Sequence, residues 1–265
     1  AAGRMTTLKE MTTMSQPHDS MHGSRPAPLA RVMRTLAFAV ALPLAGAVLA
    51  QGTATSLDVD TVLDNIAQAA NDLQDATFLL TGKLVDADGT EIALEVDFMI
   101  VPGESVANAY IIQPDALADN QIVLDGPAVY SYTFLTHQIT IFDSNDPDAL
   151  GGLLPTSEDG ATAQISFDLG QVFEGYTAEI TDVSEAGGVT TYTIRFANID
   201  ATAVILDVIA TVPSSDWLPR SLVFLESDGR VLAELHAENL VIDQGLDVEM
   251  VRELPADAEI IDNRN

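Results

Sequence analysis

The chain has 265 residues, 40 Asp and Glu against 11 Lys and Arg, a formal charge of −29, and no cysteine. That balance excludes a phosphate-binding surface for nucleic acid, which needs clustered Lys and Arg, and an anionic bilayer would not attract it. The missing thiols exclude disulfides, thiolate zinc and a cysteine nucleophile, and the acidity is read as a solubility feature.

Arg31 and Arg34, the apolar run Leu36–Leu49 and Ala50 have the parts of a secretory signal peptide: a basic start, an apolar core and a small residue at the exit. Cleavage is expected after Ala50. The alternative is a membrane anchor, but a spanning helix needs ~20 apolar residues, and this run is shorter and broken by Pro43 and Gly46. Residues 1–32 lack periodicity and are read as lying upstream of a start at Met33, outside the fold. Residues 51–265 are expected to form one domain; they hold six Lys and Arg against 38 Asp and Glu, a formal charge of −32. Gln51, not a cysteine, follows Ala50, so no lipid anchor is expected and the product should be soluble outside the inner membrane, in the periplasm.

Val62, Leu63, Ile66, Ala69, Ala70 and Leu73 recur at three- and four-residue spacing, which predicts an amphipathic helix over Val59–Leu73 capped by Ser56 or Asp58. Strands are then expected at Ala76–Val85, Thr90–Val101 and Val106–Gln113, with Gly89 at the positive-φ position of the first hairpin. In the second strand Ile92, Leu94, Val96, Phe98 and Ile100 face one way and Glu91, Glu95 and Asp97 the other. Asp119–Leu124, Val129–Phe134 and Gln138–Phe142 continue the meander through the turn pair Asp125-Gly126, with Tyr130, Tyr132 and Phe134 on one face. These three strands carry more apolar residues than a sheet with one wet face needs, so the sheet is expected to hold something apolar on its concave side.

Between Ser144 and Phe173 the alternation fails. Two short helices are expected there, one after Asp146-Pro147-Asp148 and one capped by Ser166 or Asp168, and the segment is the candidate lid. Strands resume at Thr177–Val183, Thr190–Ile199, Ala203–Val212, Pro219–Glu226, Arg230–Ile242 and Leu246–Arg252. The fold class is therefore mainly β (α+β): an incomplete, strongly curled antiparallel barrel of about a dozen strands with an N-terminal covering helix and short lid helices.

No motif for covalent chemistry is present: there is no G-x-S-x-G, P-loop, G-x-G-x-x-G or H-E-x-x-H. His137 is read as a solvated turn residue, and His236, between Glu234 and Glu238, as one partner of an ion pair. Asp143–Asp148 lacks the glycine and distal glutamate of a calcium loop and is read as a turn with a helix cap. No metal, cofactor or enzymatic activity is expected. A carboxylate-pair hydrolase is the weakest reading, because nothing desolvates a particular pair. The aromatic residues fall mostly in strands, as ordinary core or as the wall of a ligand cavity.

The order of helix, "ATFLLTGKLVDADGTEIALEVDFMIVPG", and "NAYIIQPDALADNQIVLDGPAVYSYTFLTHQITIFD" resembles the LolA family of periplasmic lipoprotein carriers. Val123-Leu124-Asp125-Gly126 and Val129-Tyr130-Ser131-Tyr132 carry the likeness most strongly; Trp217-Leu218-Pro219-Arg220 and Leu254-Pro255-Ala256-Asp257-Ala258 match more loosely. It extends over about residues 57–261. The resemblance implies a half-barrel that holds the acyl chains of lipoproteins or lipids under a helical lid, with an inner-membrane release complex and an outer-membrane receptor as partners. The acylated receptor of the same fold needs a cysteine that this chain lacks. Val101 stands where the better-known carriers place a lid-holding Arg. On this reading the cavity lining comes from Leu94, Val96, Phe98, Tyr130, Tyr132, Phe134, Ile139, Ile141, Trp217 and Phe224, the lid from Leu150, Leu153, Leu154 and Phe173, and the protein acts as a monomer. The alternative is a sensor module of the same fold that recognises a protein partner or another lipid.

Overall fold

Asp58 accepts the backbone N–H of Thr61 at 2.9 Å, which caps helix α1 (Val59–Asp72). The computed structural model describes residues 57–86, 88–144, 146, 166–199 and 205–264. Twelve strands follow α1: β1 (Ala76–Val85), β2 (Glu91–Val101), β3 (Val106–Gln113), β4 (Gln121–Asp125), β5 (Ala128–Thr133), β6 (Gln138–Asp143), β7 (Tyr176–Ala186), β8 (Val189–Asn198), β9 (Asp207–Pro213), β10 (Ser221–Leu225), β11 (Val231–Ile242) and β12 (Glu259–Asp262). Two one-turn helices, α2 (Leu169–Val172) and α3 (Val248–Val251), precede β7 and β12. Asp168 caps α2 by accepting from the N–H of Gln171.

All twelve strands belong to one open sheet in the order β12-β6-β5-β4-β3-β2-β1-β11-β10-β9-β8-β7. Every pairing is antiparallel except β12 with β6, which is parallel. The sheet curls strongly without closing. Helix α1 makes the curl visible. It touches β7 at one edge, while Ala70 and Asn71 near its end stand beside Ile100, Ala107 and Leu124 of β2, β3 and β4. In a flat sheet β7 and β3, seven places apart, would be separated by ~34 Å at ~4.8 Å per strand. A helix of this length spans only ~21 Å. Only a sheet wrapped around the helix lets both contacts form.

The register sorts side chains cleanly. Phe78 pairs with Phe98, Phe98 with Ala109, and Ala109 with Ile122; on the other side Leu80 pairs with Ala237, and Val208 with both Phe224 and Phe196. These residues face α1 and, with Val62 and Ile66, form one buried core. Phe167 and Phe173, flanking α2, complete it: Phe167 meets Phe78 edge-on at 5.9 Å and Phe173 lies 4.7 Å from Phe196. Ile66 is fully buried, and its replacement by Val is expected to lower stability by about 1 kcal/mol in urea unfolding, with α1 retained by circular dichroism.

The expected strand at Leu246–Arg252 is corrected. Asp247 accepts the N–H of Glu249 at 3.0 Å and starts α3. Alternation would group Val248 with Met250, but one helical turn groups Val248 with Val251. Val251 is fully buried, whereas Met250 is 44% exposed. The last strand is instead β12, which adds to the open edge of β6.

Candidate functional site

The inner face of the sheet is apolar from β1 to β5 and from β7 to β11, and its cover is thin: one helix of 14 residues and the segment around α2. The cover leaves a cavity of about 430 Å³ at one end. Ile100, Ala107 and Leu124 form its floor from the inner face, Ala70 and Asn71 its wall on α1, and Ser166, Phe167, Asp168 and Gln171 its wall beside α2. Ser105 and Gly126, joined by the Gly126 N–H to Ser105 carbonyl bond at 2.9 Å, close the far side. The size lies within the range of small-ligand sites, with an apolar floor and a few polar groups at the rim.

The expected lining divides between the two faces. Leu94, Val96, Phe98 and Phe224 lie on the inner face and are buried in the main core, as expected. Trp217 stacks on Tyr192 with ring centroids 5.6 Å apart and packs against the same core. Tyr130, Tyr132, Ile139 and Ile141 do not join them. In β5 the inner positions are Val129, which pairs with Leu124 and Phe142, and Ser131, which pairs with Ile122. Alternation therefore sends Tyr130 and Tyr132 outward, and their partners Ile141 and Ile139 with them. The expectation of a single wall is corrected accordingly. Phe134, beyond the end of β5, is 52% exposed.

The C-terminal segment accounts for the surplus of apolar residues in β4–β6. Leu254 and Ala258 pack on Ala128, Tyr130, Tyr132, Ile139 and Ile141, and Val251 packs on Val101 and Val106. Polar bonds hold this strap. Arg252 makes two bonds of 3.0 Å to the Asp125 carboxylate, Asn108 donates to the Val251 carbonyl at 2.7 Å, and Gln121 donates to the Glu253 carbonyl at 2.9 Å. His137 sits half-exposed between the Tyr132 hydroxyl at 3.1 Å and the Asp257 carboxylate at 3.3 Å. The Val101 position, where the family resemblance implies an Arg, is thus part of the outer apolar patch beneath Val251.

Phe173 of the candidate lid is buried on the inner face. Leu150, Leu153 and Leu154, and the helix expected after Pro147, lie outside the described residues. Sequence reasoning passed over Phe167 and Ala70 as site residues. Ala70 belongs to the helix stripe and Ile100 to the inner row of β2, so both carried a signal; Phe167 stands in a stretch without periodicity and carried none. His236 lies 3.3 Å from Glu234, the expected ion pair. Among the described residues there is no cluster of His, Asp and Glu able to hold a metal, and no helix is long and apolar enough to cross a membrane.

Every Lys and Arg after residue 50 is engaged by carboxylate. Lys83 pairs with Glu91, Arg195 with Glu179 and Asp207, Arg220 with Asp216, Arg230 with Glu226, Arg252 with Asp125 and Glu249, and Arg264 with Asp262. Burial pushes the Arg220 guanidinium down from its ordinary range, opposed by Asp216. The bonds from Arg264 hold the Asp262 carboxyl down at about 2. None of these cations lines the cavity.

Compared by sequence, the chain matches no family model and no curated protein. Its structure is similar to that of a conserved protein from Thermus thermophilus, with 14% identity over 77% of this chain and 98% of that one at a TM-score of 0.52. It is also similar, more distantly, to a LolA superfamily protein from Nitrosomonas europaea, with 11% identity over 75% of this chain and 99% of that one at a TM-score of 0.37. The third is MucB in complex with MucA from Pseudomonas aeruginosa, with 14% identity over 76% of this chain and 62% of that one at a TM-score of 0.47. The first similarity shows a shared fold. An open, curled antiparallel sheet wrapped around a helix is the architecture that resemblance to the LolA family implies, and this chain has it.

Proposed function

We propose that this protein is a periplasmic binding protein that shelters the acyl chains of a lipoprotein or lipid between its inner sheet face and its helical cover, and carries them toward the outer membrane without covalent chemistry. The observation that carries the proposal is the cavity between the end of α1, the α2 segment and the floor of Ile100, Ala107 and Leu124. It opens beside an apolar sheet face much wider than the helices that cover it. Each methylene transferred there from water contributes ~0.8 kcal/mol, so a chain of modest length is held without any charged contact. The signal-like segment before Ala50 and the Asp125-Gly126 hairpin that resembles the carrier family point the same way. The family partners, an inner-membrane release complex and an outer-membrane receptor, belong to this proposal. With Val101 buried in the outer patch, release would use another latch than an Arg at that position.

The test is to purify the protein from its native host and identify what copurifies by mass spectrometry, then to measure binding of an acylated peptide in solution. Acylated peptides or lipids are expected. A clean protein that binds no acylated peptide would sink the proposal. Ala70→Phe projects a ring into the cavity from α1 and is expected to weaken binding about tenfold or more, the cost of about 1.4 kcal/mol in contacts, while the unfolding midpoint stays near that of the parent. Unchanged affinity would place the chain elsewhere.

A second reading, a module that binds a protein partner, is favoured by one observation. Phe134 and Leu135 at the β5–β6 turn are 52% and 86% exposed, close to Ile260 on edge strand β12, whose Glu259 N–H bonds to the His137 carbonyl. Copurification of a stoichiometric protein without lipid would favour it.

A further inference from the structure

The rim of the cavity limits which amphiphile can occupy it, a selectivity that rests on the acyl-chain proposal. An anionic headgroup is normally held by Arg, Lys or a row of free N–H donors. This rim offers none of the cations. Its only charged residue is Asp168, whose carboxylate already caps α2 through Gln171. Asn71, Ser105, Ser166 and Gln171 are neutral. Arg252, the base that reaches the β4–β5 hairpin, has its guanidinium clamped to Asp125 and Glu249 on the outer face. The remaining five basic side chains after residue 50 are each paired with carboxylate. The sequence from 147 to 165, which joins β6 to the α2 segment, contains no Lys or Arg and adds Asp148, Glu158 and Asp159.

We infer that the site selects amphiphiles with an uncharged or cationic head and discriminates against anionic ones of equal chain length. The discrimination is local: it arises at the Asp168 and Gln171 rim rather than from the net charge alone. An acyl chain on a glyceride or thioether head, or on an amine, satisfies this site; a fatty-acid carboxylate, a sulfate or a phosphatidylglycerol-like head does not.

The test uses three twelve-carbon probes below their micelle concentrations: dodecyl maltoside, dodecyltrimethylammonium and dodecyl sulfate. Calorimetric titration is run at 0.15 M and 0.5 M salt, where the screening length is about 8 Å and below. The maltoside and the ammonium are expected to bind at least about tenfold tighter than the sulfate, the difference that one charge at ~6 Å makes at an intermediate dielectric. Asp168→Asn keeps a capping oxygen and is expected to raise sulfate affinity severalfold. Gln171→Lys, on the rim, is expected to raise it about tenfold and leave the maltoside unchanged. Equal binding of all three probes, or a sulfate preference in the parent, overturns the inference while the acyl-chain reading stands. Sulfate rejection that persists unchanged in both variants overturns the local origin and so the inference. Binding of none of the three probes removes the acyl-chain reading and this inference with it.

Discussion

Gly82→Ala is expected to lower the free energy of unfolding by about 3–5 kcal/mol, in the upper range for single substitutions, with urea unfolding as the measurement. Gly82 lies mid-strand in β1 on the inner face, between Leu80 and Leu84, opposite Leu94 of β2 and Leu235 of β11. Its φ is +157°, and a Cβ built on it would stand 2.1 Å from the Glu234 carbonyl oxygen and 3.0 Å from the carbonyl carbon of that residue. Both obstacles are backbone of the central pair β1–β11, so relief requires the strands to part where the sheet turns most closely around the helix. Two costs add: a conformation that L side chains rarely adopt, and an overlap that no side-chain rotamer relieves. Gly103→Ala is the control, since its added carbon would meet nothing within 4 Å and its φ is unexceptional. It is expected to change stability by no more than about 0.5 kcal/mol. If the two variants unfold at the same urea concentration, the close approach at Gly82 does not govern the curl.

Asp75→Ala is expected to have a comparable effect, about 3–5 kcal/mol, through loss of charge-assisted bonds and three stranded donors. Asp75 is buried just before β1. One carboxylate oxygen accepts the N–H of Gln244 at 3.0 Å, and the other accepts those of Gly245 and Leu246 at 2.8 and 3.2 Å. The link is reciprocal, because Asp243 accepts the Gln74 N–H at 2.9 Å and donates its own N–H to the Asp75 carbonyl at 2.9 Å. This knot turns the chain from the end of β11 to the outer face, where Val251, Leu254 and Ala258 cover Val106, Tyr132, Ile139 and Ile141. Hydrogen exchange should therefore rise first in residues 246–262 and then in the outward amides of β5 and β6. Asp75→Asn keeps one acceptor oxygen and is expected to lose about half as much. A strap that stays protected in Asp75→Ala would mean that the Arg252–Asp125 pair and the apolar contacts hold it unaided.

The sequence carried most of the elements because each rests on a local period. Helix α1 shows its stripe in Val62, Ile66 and Ala70, and the β2 row from Ile92 to Ile100 lies on the inner face as its alternation requires. Turn chemistry was equally local: Gly89 and Gly126 take positive φ where the hairpins need it, and Asp58 and Asp168 cap their helices. Two errors were also local in origin. Leu246, Val248 and Met250 alternate like a strand, yet a single capped turn buries Val251 instead; and the four residues of β12 are too few to show a period and pair only because β6 offers an open edge.

For the candidate site, local pattern could tell which residues share a face of one strand but not what lies over that face. In β4, β5 and β6 residues of both parities are apolar, so Tyr130 and Tyr132 could equally have lined a cavity. Register decides against it: Val129 pairs with Leu124 and Phe142 under the helix, and the tyrosines face the strap. Composition and short-range pattern were enough for most of the strands, the turns, the acidity and the want of any recognisable catalytic motif. Which apolar face meets α1 and which meets the C-terminal segment had to wait for the folded chain, because burial depends on long-range partners. Ala70 and Leu124, or Tyr132 and Leu254, become neighbours only once the sheet has curled and the chain has crossed behind it.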